Sequence, residues 1–194
     1  DRVSMDVRRG EVHAIIGENG AGKSTLMRVL SGAEIPNEGK IVLDGQEVHF
    51  RSPLDAQRAG VGIVYQELSV FLNLSVAENI FANRQHVSAG NIVQRRKMNE
   101  ESLKLLKFFE LDFEPDTPLR ELNMAGRQMV EILRAVSLNP KLLILDEPTS
   151  SLTLAESEHL FKLVGRLREQ GISVLYVSHQ LDEVLRLGNR ITVL

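Results

Sequence analysis

The sequence predicts an α/β fold in which a mainly parallel sheet is flanked by helices, with a small antiparallel β hairpin and an inserted helical subdomain. Three observations predict it. Short apolar segments rich in β-branched residues, such as 11–17 and 141–147, alternate with segments of helical period, as is typical of buried parallel strands. An Asp-Gly pair at 44–45 separates two short strand-like stretches and indicates a hairpin. Residues 75–140 are mostly helical in pattern.

Turn and cap residues predict the elements of the first half of the chain. The strand EVHAIIG runs into a glycine-rich turn, and the helix that follows stops at Ser31-Gly32. After the hairpin, Ser52 caps a short helix whose first residue is Pro53. We expect these elements at 11–17 (strand), 22–30 (helix), 39–50 (two strands), from 52 onward (helix) and 61–67 (strand).

The second half contains two capping-box patterns. Ser75 with Glu78, and Thr153 with Glu156, have the S/T-x-x-E spacing that predicts a helix start. We expect helices at 99–110, about 125–138, 153–171 and 180–187, a loop at 114–119, and strands at 141–147, 172–178 and 190–194. The chain is then one domain, with a core formed by 1–72 and 141–194 and a helical subdomain at about 73–140.

Composition restricts the class of protein. The chain has 194 residues, of which 43% are hydrophobic and 25% are charged, and this balance suits one soluble globular domain. Its net charge of -3 argues against a nucleic-acid partner. Without cysteine it has neither disulfides nor thiolate metal sites. No apolar run reaches the roughly 18 residues that span a bilayer, and no signal peptide opens the chain. Because residue 1 is Asp, we expect a piece of a longer protein.

The glycine-rich turn has the spacing of a phosphate-binding loop, or P-loop. Gly17 is followed after four residues by Gly22, Lys23 and Ser24, between a predicted strand and a predicted helix. Glycines let backbone N–H groups approach a triphosphate, and the helix N-terminus adds a favourable dipole. Lys23 adds charge at the β- and γ-phosphates, and Ser24 offers a hydroxyl to Mg²⁺. The pattern predicts a P-loop NTPase; the competing interpretation is a glycine-rich turn that binds nothing.

A second acidic site follows a run of aliphatic residues. Asp146 is expected near the Mg²⁺ beside Ser24, and Glu147 is then a candidate base for an attacking water. Gln66 ends a predicted strand and His179 follows another, and the carboxyl ends of parallel strands meet at one edge of a sheet. We therefore expect these side chains to converge on the P-loop. Taken singly, each has a simpler interpretation as a polar residue at a strand end.

In this order, the P-loop, the strand-end glutamine, the helical block, LLILDEPTS and SHQLDEV resemble the ATP-binding cassette (ABC) ATPases over nearly the whole chain. The stretches GENGAGKST, YQELSVFLNLSVAENIF, QMVEILRAV and SSLT are similar to the simple-sugar importers, such as those for ribose, galactose, arabinose or autoinducer-2. The resemblance implies a domain that binds ATP and Mg²⁺ and hydrolyses ATP to power sugar uptake. In that subfamily two cassettes are usually fused, and this chain would be the first of them, or most of it.

The resemblance also implies roles for the motif residues. Gln66 would touch Mg²⁺ and water and relay the state of the site to the membrane subunit. Asp146 would be the Walker B acid, Glu147 the catalytic base, His179 the switch histidine at the γ-phosphate, and 150–153 the D-loop that meets the opposite cassette. The nucleotide-binding Walker A loop would consist of Gly17, Glu18, Asn19, Gly20, Ala21, Gly22, Lys23, Ser24 and Thr25.

The family signature, LSGGQ, departs from the usual sequence here. It should begin at Leu122, but the next positions hold Asn123, Met124, Ala125 and Gly126. In this family each signature serves the nucleotide on the opposite cassette, where the extra side chains would hinder close backbone approach. Asn123 can still donate to a phosphate, or it can simply cap the following helix. We expect the two sites of the full transporter to be unequal.

The resemblance implies partners as well. These are a second cassette, membrane permease subunits and, indirectly, a periplasmic sugar-binding protein, at the cytoplasmic face of the membrane and without nucleic acid. Residues 1–10 contain no aromatic to stack on adenine, so we expect that residue upstream and weak base selectivity in this chain. Two alternatives remain: an ABC ATPase of translation or DNA repair, and a regulatory module that holds ATP with little turnover.

Overall fold

A computed structural model describes residues 3–88 and 92–194, and a sheet of five parallel strands lies at its centre. The strands of the chain are β1 (Val12–Ile16), β2 (Ile41–Leu43), β3 (Gln46–Val48), β4 (Val61–Val64), β5 (Leu142–Asp146), β6 (Ser173–Val177) and β7 (Arg190–Val193). The order in the sheet is β4-β5-β6-β1-β7, so the first strand lies between the last two. The predicted parallel sheet is confirmed.

Helices cover both faces of this sheet. They are α1 (Lys23–Leu30), α2 (Pro53–Ala59), α3 (Val76–Ile80), α4 (Arg95–Phe108), α5 (Met124–Val136), α6 (Leu154–Glu169) and α7 (Leu181–Leu187), with a 3-10 turn at Leu119–Glu121. The predicted caps are present: Ser52 accepts from the amide of Asp55, and Ser75 and Thr153 form the two capping boxes. These caps fix where the chain turns from loop to helix.

Helix α4 differs from its prediction at both ends. It begins at Arg95 rather than at 99, because the apolar face of the helix already includes the buried Met98. It ends at Phe108, and Glu110 follows with a left-handed φ of 55°. The mostly helical pattern predicted for residues 75–140 therefore applies to α3, α4 and α5, which turns and loops connect.

Alternate side chains of each central strand enter two different hydrophobic clusters. In β6, Val174 and Tyr176 pack with residues of α3, α5 and α6 on one face of the sheet. Leu175 and Val177 point to the other face, where they pack with Ile15, Met27 and the partly buried residues of the hairpin. Burial on both faces explains why these strands are apolar throughout.

The hairpin predicted at the Asp-Gly pair is also present. Strands β2 and β3 are antiparallel, and Asp44 and Gly45 both have positive φ, as a two-residue hairpin turn requires. Of the helices within residues 3–88 and 92–194, none is long and apolar enough to cross a membrane. The division into a core and a helical subdomain stays a prediction, and residues 1–2 and 89–91 of those ranges lie outside the described residues.

Candidate functional site

The glycine-rich turn leaves β1 and enters α1 with a bare backbone. Gly20 and Gly22 have φ values of 88° and 98°, which L side chains rarely adopt, and nothing lies within 4 Å of the position that a Cβ would take on either. Gly22 is the N-cap of α1, and no side chain caps the helix at this position. Backbone N–H groups at such a helix start form an anion site.

Gly17 is a glycine for a different reason from the one the sequence suggests. A Cβ on it would lie 2.7 Å from the carbonyl oxygen of Leu194, the residue that follows β7. Its φ is not in the left-handed region, so the requirement is close packing against the neighbouring strand rather than an unusual dihedral. The loop therefore depends on the sheet beside it.

Lys23 is buried at the centre of the loop, with 6% of its surface exposed. Its ammonium donates hydrogen bonds to the carbonyl oxygens of Gly17, at 2.7 Å, and of Glu18, at 3.1 Å. A positive charge is thus held among the backbone groups of the turn, where it would attract an anion.

A cleft of about 370 Å³ opens in front of the loop. Its lining consists of Asn19, Gly20, Gly22, Lys23, Ser24, Thr25, Gln66 and Glu147. The predicted residues Gly17, Glu18, Ala21, Asp146 and His179 are not part of that lining. A larger groove, of about 1280 Å³, is lined by the N-terminal segment, the hairpin, the segment before β5 and the C-terminal parts of α4 and α6, and no predicted site residue lines it.

The strand-end residues come from four neighbouring strands. Gly17 follows β1 directly, Gln66 lies two residues beyond β4, Asp146 is the last residue of β5, and His179 lies two residues beyond β6. Because all four strands are parallel, their carboxyl ends lie along the same edge of the sheet. The strand ends therefore share one edge, and of these residues Gln66 also lines the cleft, whereas Asp146 and His179 do not.

Two neighbouring acids lie at the cleft, Glu147 in its lining and Asp146 outside that lining. Burial raises the pKa of Asp146, the charge of Glu147 raises it further, and the charge of Lys23 opposes both. Glu147 has a left-handed φ of 46°, and its backbone amide donates to the carbonyl of Val177 at 2.9 Å. Nδ1 of His179 lies 3.3 Å from Oε2 of Glu147. A non-glycine residue in this conformation costs about 1–3 kcal/mol, and such strain clusters at active sites.

The donors present fit a magnesium ion that also binds phosphate. Mg²⁺ usually takes one or two carboxylates together with substrate oxygens and water. Asp146 supplies a half-buried carboxylate whose charged form lacks full compensation, and Ser24 and Gln66 supply a hydroxyl and an amide from the cleft wall. Among residues 3–88 and 92–194 there is no group of three or more His, Asp or Glu side chains that could hold an ion by themselves.

A buried network next to His179 was not predicted from the sequence. Oε2 of Glu183, a buried residue of α7, accepts hydrogen bonds from the hydroxyls of Tyr176, at 2.9 Å, and Ser178, at 2.7 Å. The hydroxyl of Ser178 in turn accepts from the amide of Gln180 at 3.0 Å. These bonds fix the backbone on both sides of the histidine. An acid four residues after His179 is the only signal in the sequence, and it reads equally well as a first-turn helix residue.

The segment from Leu122 to Gly126 lies outside the cleft, at the start of α5. Oδ1 of Asn123 accepts from the amide of Gly126 at 2.9 Å, so the predicted helix cap is present. Nδ2 of Asn123 donates to Oε1 of Glu156 at 3.0 Å. Met124 is 46% exposed. Both ends of the Asn123 amide have partners within the chain.

Comparison with known protein families decides the family of this chain, because the model of the ABC transporter family matches residues 1–150. The chain belongs to the ABC transporter family. Over all 194 residues this ABC chain is 47% identical to a protein of Burkholderia cenocepacia named putative ribose/galactose/methyl galactoside import ATP-binding protein 3. It is 45% identical over the same length to ribose import ATP-binding protein RbsA 2 of Streptomyces coelicolor. The chain spans 38% and 37% of the length of these two relatives.

Solved structures support the same ABC fold. A nucleotide-free ATP-binding cassette of an ABC transporter matches the whole chain and 80% of its own chain, with 30% identity and a TM-score of 0.87. A dimeric cassette bound to ADP and Pi, in a post-hydrolysis state, matches 98% of this chain and 83% of its own, with 26% identity and a TM-score of 0.79.

Proposed function

We propose that this chain is an ATP-binding cassette of a simple-sugar importer, and that it hydrolyses ATP to power uptake. The observation that carries the proposal is the convergence of Lys23, Gln66 and Glu147 in one cleft at the carboxyl edge of the sheet. Two relatives that match this chain along its whole length are named as sugar-import proteins, and this supports sugar import as the process that ATP hydrolysis drives.

Each residue of the edge then has a task. The bare amides of 17–25 bind the triphosphate, and the ammonium of Lys23 exchanges its carbonyl partners for phosphate oxygens. Ser24, Gln66 and Asp146 would hold Mg²⁺, which would supply charge compensation at the phosphates. Glu147 takes the proton of the attacking water as the bond between the γ-phosphorus and the bridging oxygen breaks, and ADP and phosphate leave. His179 orients Glu147 and faces the γ-phosphate.

The partners follow from the same proposal. The chain acts with a second cassette, fused to it or as a dimer, and it is the first of the two in its parent protein. It acts on permease subunits at the cytoplasmic face of the membrane. A periplasmic sugar-binding protein delivers the sugar to these subunits. Closure of the two cassettes on ATP drives the permease, and hydrolysis resets it.

One observation favours a second candidate, a regulatory module that holds ATP with little turnover. The amide of Asn123 is already bonded to Gly126 and Glu156, which leaves it less suited to bind a partner's nucleotide. The intact Glu147 and its contact with His179 favour hydrolysis instead.

Two measurements test the proposal. Calorimetry of the chain with Mg²⁺ and ATP is expected to show binding, and absence of heat would remove the nucleotide site. In the complete transporter, Glu147→Gln is expected to keep ATP affinity within about threefold while phosphate release falls by about 10²- to 10⁴-fold. Glu158→Gln on the exposed face of α6 is the control and should change neither. Slow phosphate release from the unaltered transporter would favour the regulatory module.

A further inference from the structure

The loop that carries Gln66 is held on both sides of that residue. Before it, the hydroxyl of Tyr65 lies 3.1 Å from the hydroxyl of Ser31, at the end of α1. After it, Ser69 is bound by α5, and the buried Asn79 of α3 then exchanges hydrogen bonds with the backbone of Phe71. The segment that reaches into the cleft is therefore short, and Ser69 is the nearest fixed point on its far side.

Two charged side chains of α5 bind the backbone of Ser69, one at its amide and the other at its carbonyl oxygen. The amide of Ser69 donates to both carboxylate oxygens of Glu131, each at 3.1 Å. Arg134 donates from Nη1 to the carbonyl oxygen of Ser69 at 2.6 Å and from Nη2 to Oε1 of Glu131 at 2.8 Å. Being three residues apart, Glu131 and Arg134 lie on the same face of the helix. We call Ser69, Glu131 and Arg134 the Ser69 latch.

Only one member of the latch is buried: the carboxylate of Glu131 lies in the interior, while the Arg134 side chain is 24% exposed and Ser69 lies at the surface. Glu131 is 3% exposed, and burial raises the pKa of its carboxyl, with the Ser69 amide and Arg134 opposing the shift. A buried ion pair is often no more stabilising than an apolar replacement of the same shape, but its geometry is strict. Here the geometry fixes one residue of a surface loop against one helix.

The short stretch of chain between Ser69 and Gln66 allows the latch to transmit a movement of α5 to Gln66. From Ser69 to Gln66 there are three Cα–Cα steps, which span at most about 11 Å when fully extended. A displacement of α5 beyond the slack of this tether must move Gln66. Asn123, the N-cap of the same helix, lies in the segment whose family counterpart serves the opposite cassette.

We propose that Glu131 and Arg134 are positioning residues, which make Gln66 and helix α5 move together through the backbone of Ser69. The chemical consequence rests on the proposed function, because it assumes that Gln66 acts on bound Mg²⁺ and water. The structural consequence, that the loop follows α5, does not.

A double-mutant cycle in the complete transporter tests the chemical consequence. Glu131→Ala is expected to lower kcat by about tenfold or more with KM for ATP changed less than about threefold, since the P-loop stays intact. Glu131→Gln keeps an acceptor for the Ser69 amide and is expected to recover part of the loss. On a Gln66→Ala background, Glu131→Ala should lower kcat little further. If Glu131→Ala lowers kcat by the same factor with and without Gln66→Ala, the two residues act independently and the proposal is overturned.

The matched control is Glu11, which precedes β1 at the opposite edge of the sheet. Its buried carboxylate accepts from the amide of Arg8 at 2.6 Å and pairs with Arg190 at 3.2 Å, as Glu131 pairs with an amide and an arginine. Glu11→Ala is expected to leave kcat within about twofold. If Glu11→Ala and Glu131→Ala lower kcat equally, the effect is general destabilisation and the latch has no special role.

Hydrogen exchange on the nucleotide-free chain tests the structural consequence without ATP. Glu131→Ala and Arg134→Ala are expected to speed exchange of the amides of 66–69 by about tenfold, with the amides of α1 unchanged. Unchanged exchange at 66–69 would overturn the latch. If the unaltered transporter neither binds nor hydrolyses ATP, the proposed function fails, while the exchange result still decides whether the loop is fixed to α5.

Discussion

Glu147 has two features that cost stability, a left-handed backbone and a partly buried carboxylate beside the carboxylate of Asp146. Neither feature helps the empty fold, because the strain and the repulsion between the acids are both unfavourable. The strained backbone and the paired carboxylates are both typical of a site where a cation and an anionic ligand bind. At this edge, stability of the folded chain and readiness for a ligand are in conflict.

Removal of the Asp146 charge is therefore expected to stabilise the nucleotide-free chain. The pKa of Asp146 is raised above its ordinary value of 3.8, so between 3.8 and the raised value the folded state holds a proton that the unfolded state has released. Stability falls as pH rises through this window. Asp146→Asn should abolish that fall and be more stable than the unaltered chain at pH 7, as measured by urea unfolding from pH 4 to 8.

Asp55 is the control, because its pKa is lowered where that of Asp146 is raised, and its effect on stability has the opposite pH dependence. The Ser52 hydroxyl and the Arg51 amide lower the pKa of Asp55, so its contribution is present above 3.8 and is lost as pH falls. Asp55→Asn should therefore lose stability at pH 7. Equal changes of the same sign in both variants would contradict the interpretation of Asp146.

Loss of the buried ammonium is expected to weaken nucleotide binding itself. Charge-assisted hydrogen bonds contribute about 1.5–3 kcal/mol, so Lys23→Ala should raise the Kd for ATP by about 10- to 100-fold. Calorimetry on the chain measures this. Lys141→Ala removes an exposed lysine that pairs with Asp44, outside the cleft, and should leave Kd unchanged. An unaltered Kd in Lys23→Ala would exclude the P-loop as the phosphate site.

At this scale the sequence predicted the residues whose spacing is local. The P-loop and the two acids of LLILDEPTS were found because each is a short motif beside a strand. The Glu183 network and the Ser69 latch were not found, because they join residues through side chains of different elements. The role of Gly17 against Leu194 was missed for the same reason, since it depends on which strand lies next to β1.

At the scale of elements, turn and cap residues predicted where helices begin. Ser52, Ser75, Thr153 and Asn123 all cap the helices expected of them, since a cap acts within four residues of itself. The start of α4 was predicted less well. Gln94 provides no side-chain cap, and only the tertiary burial of Met98 shows that the helix has already begun.

The cap of α5 is expected to contribute measurably to stability. Asn123→Ala removes the hydrogen bond to the Gly126 amide and the bond to Glu156, and it should lower the free energy of unfolding by about 1–2 kcal/mol in urea. Asn123→Ser keeps a cap acceptor and should recover most of the loss. If alanine and serine are equally stable at this position, the cap is not what fixes the start of the helix.

At the scale of the whole molecule, the altered signature predicts unequal sites. If Asn123 and Met124 serve the partner's nucleotide poorly, the partner's site is impaired, while the site built on Lys23 and Glu147 stays intact where the partner supplies a good signature. Glu147→Gln and the equivalent change in the second cassette should then lower ATP turnover of the complete transporter by clearly different factors. Phosphate release from each variant measures them, and equal losses would contradict the inequality.

The strand order was beyond what sequence patterns indicate. Apolar runs and helical periods predicted a parallel sheet with helices on both faces, and the strand ends predicted one functional edge. They could not tell which strand lies beside which, because pairing between distant segments leaves no local trace in the sequence. The domain division and the roles of the motif residues stay predictions.

The position of β1 has a consequence for how the chain matures. Both of its neighbours, β6 and β7, lie within residues 173–193, more than 150 positions further along the chain. A chain that emerges from the ribosome N-terminus first therefore displays its glycine turn long before the strands that brace it exist. Contacts this remote in sequence form slowly. A product that stops before residue 173 lacks both of these strands, so we expect it to lose the support of its glycine turn and, on the proposed function, its affinity for ATP.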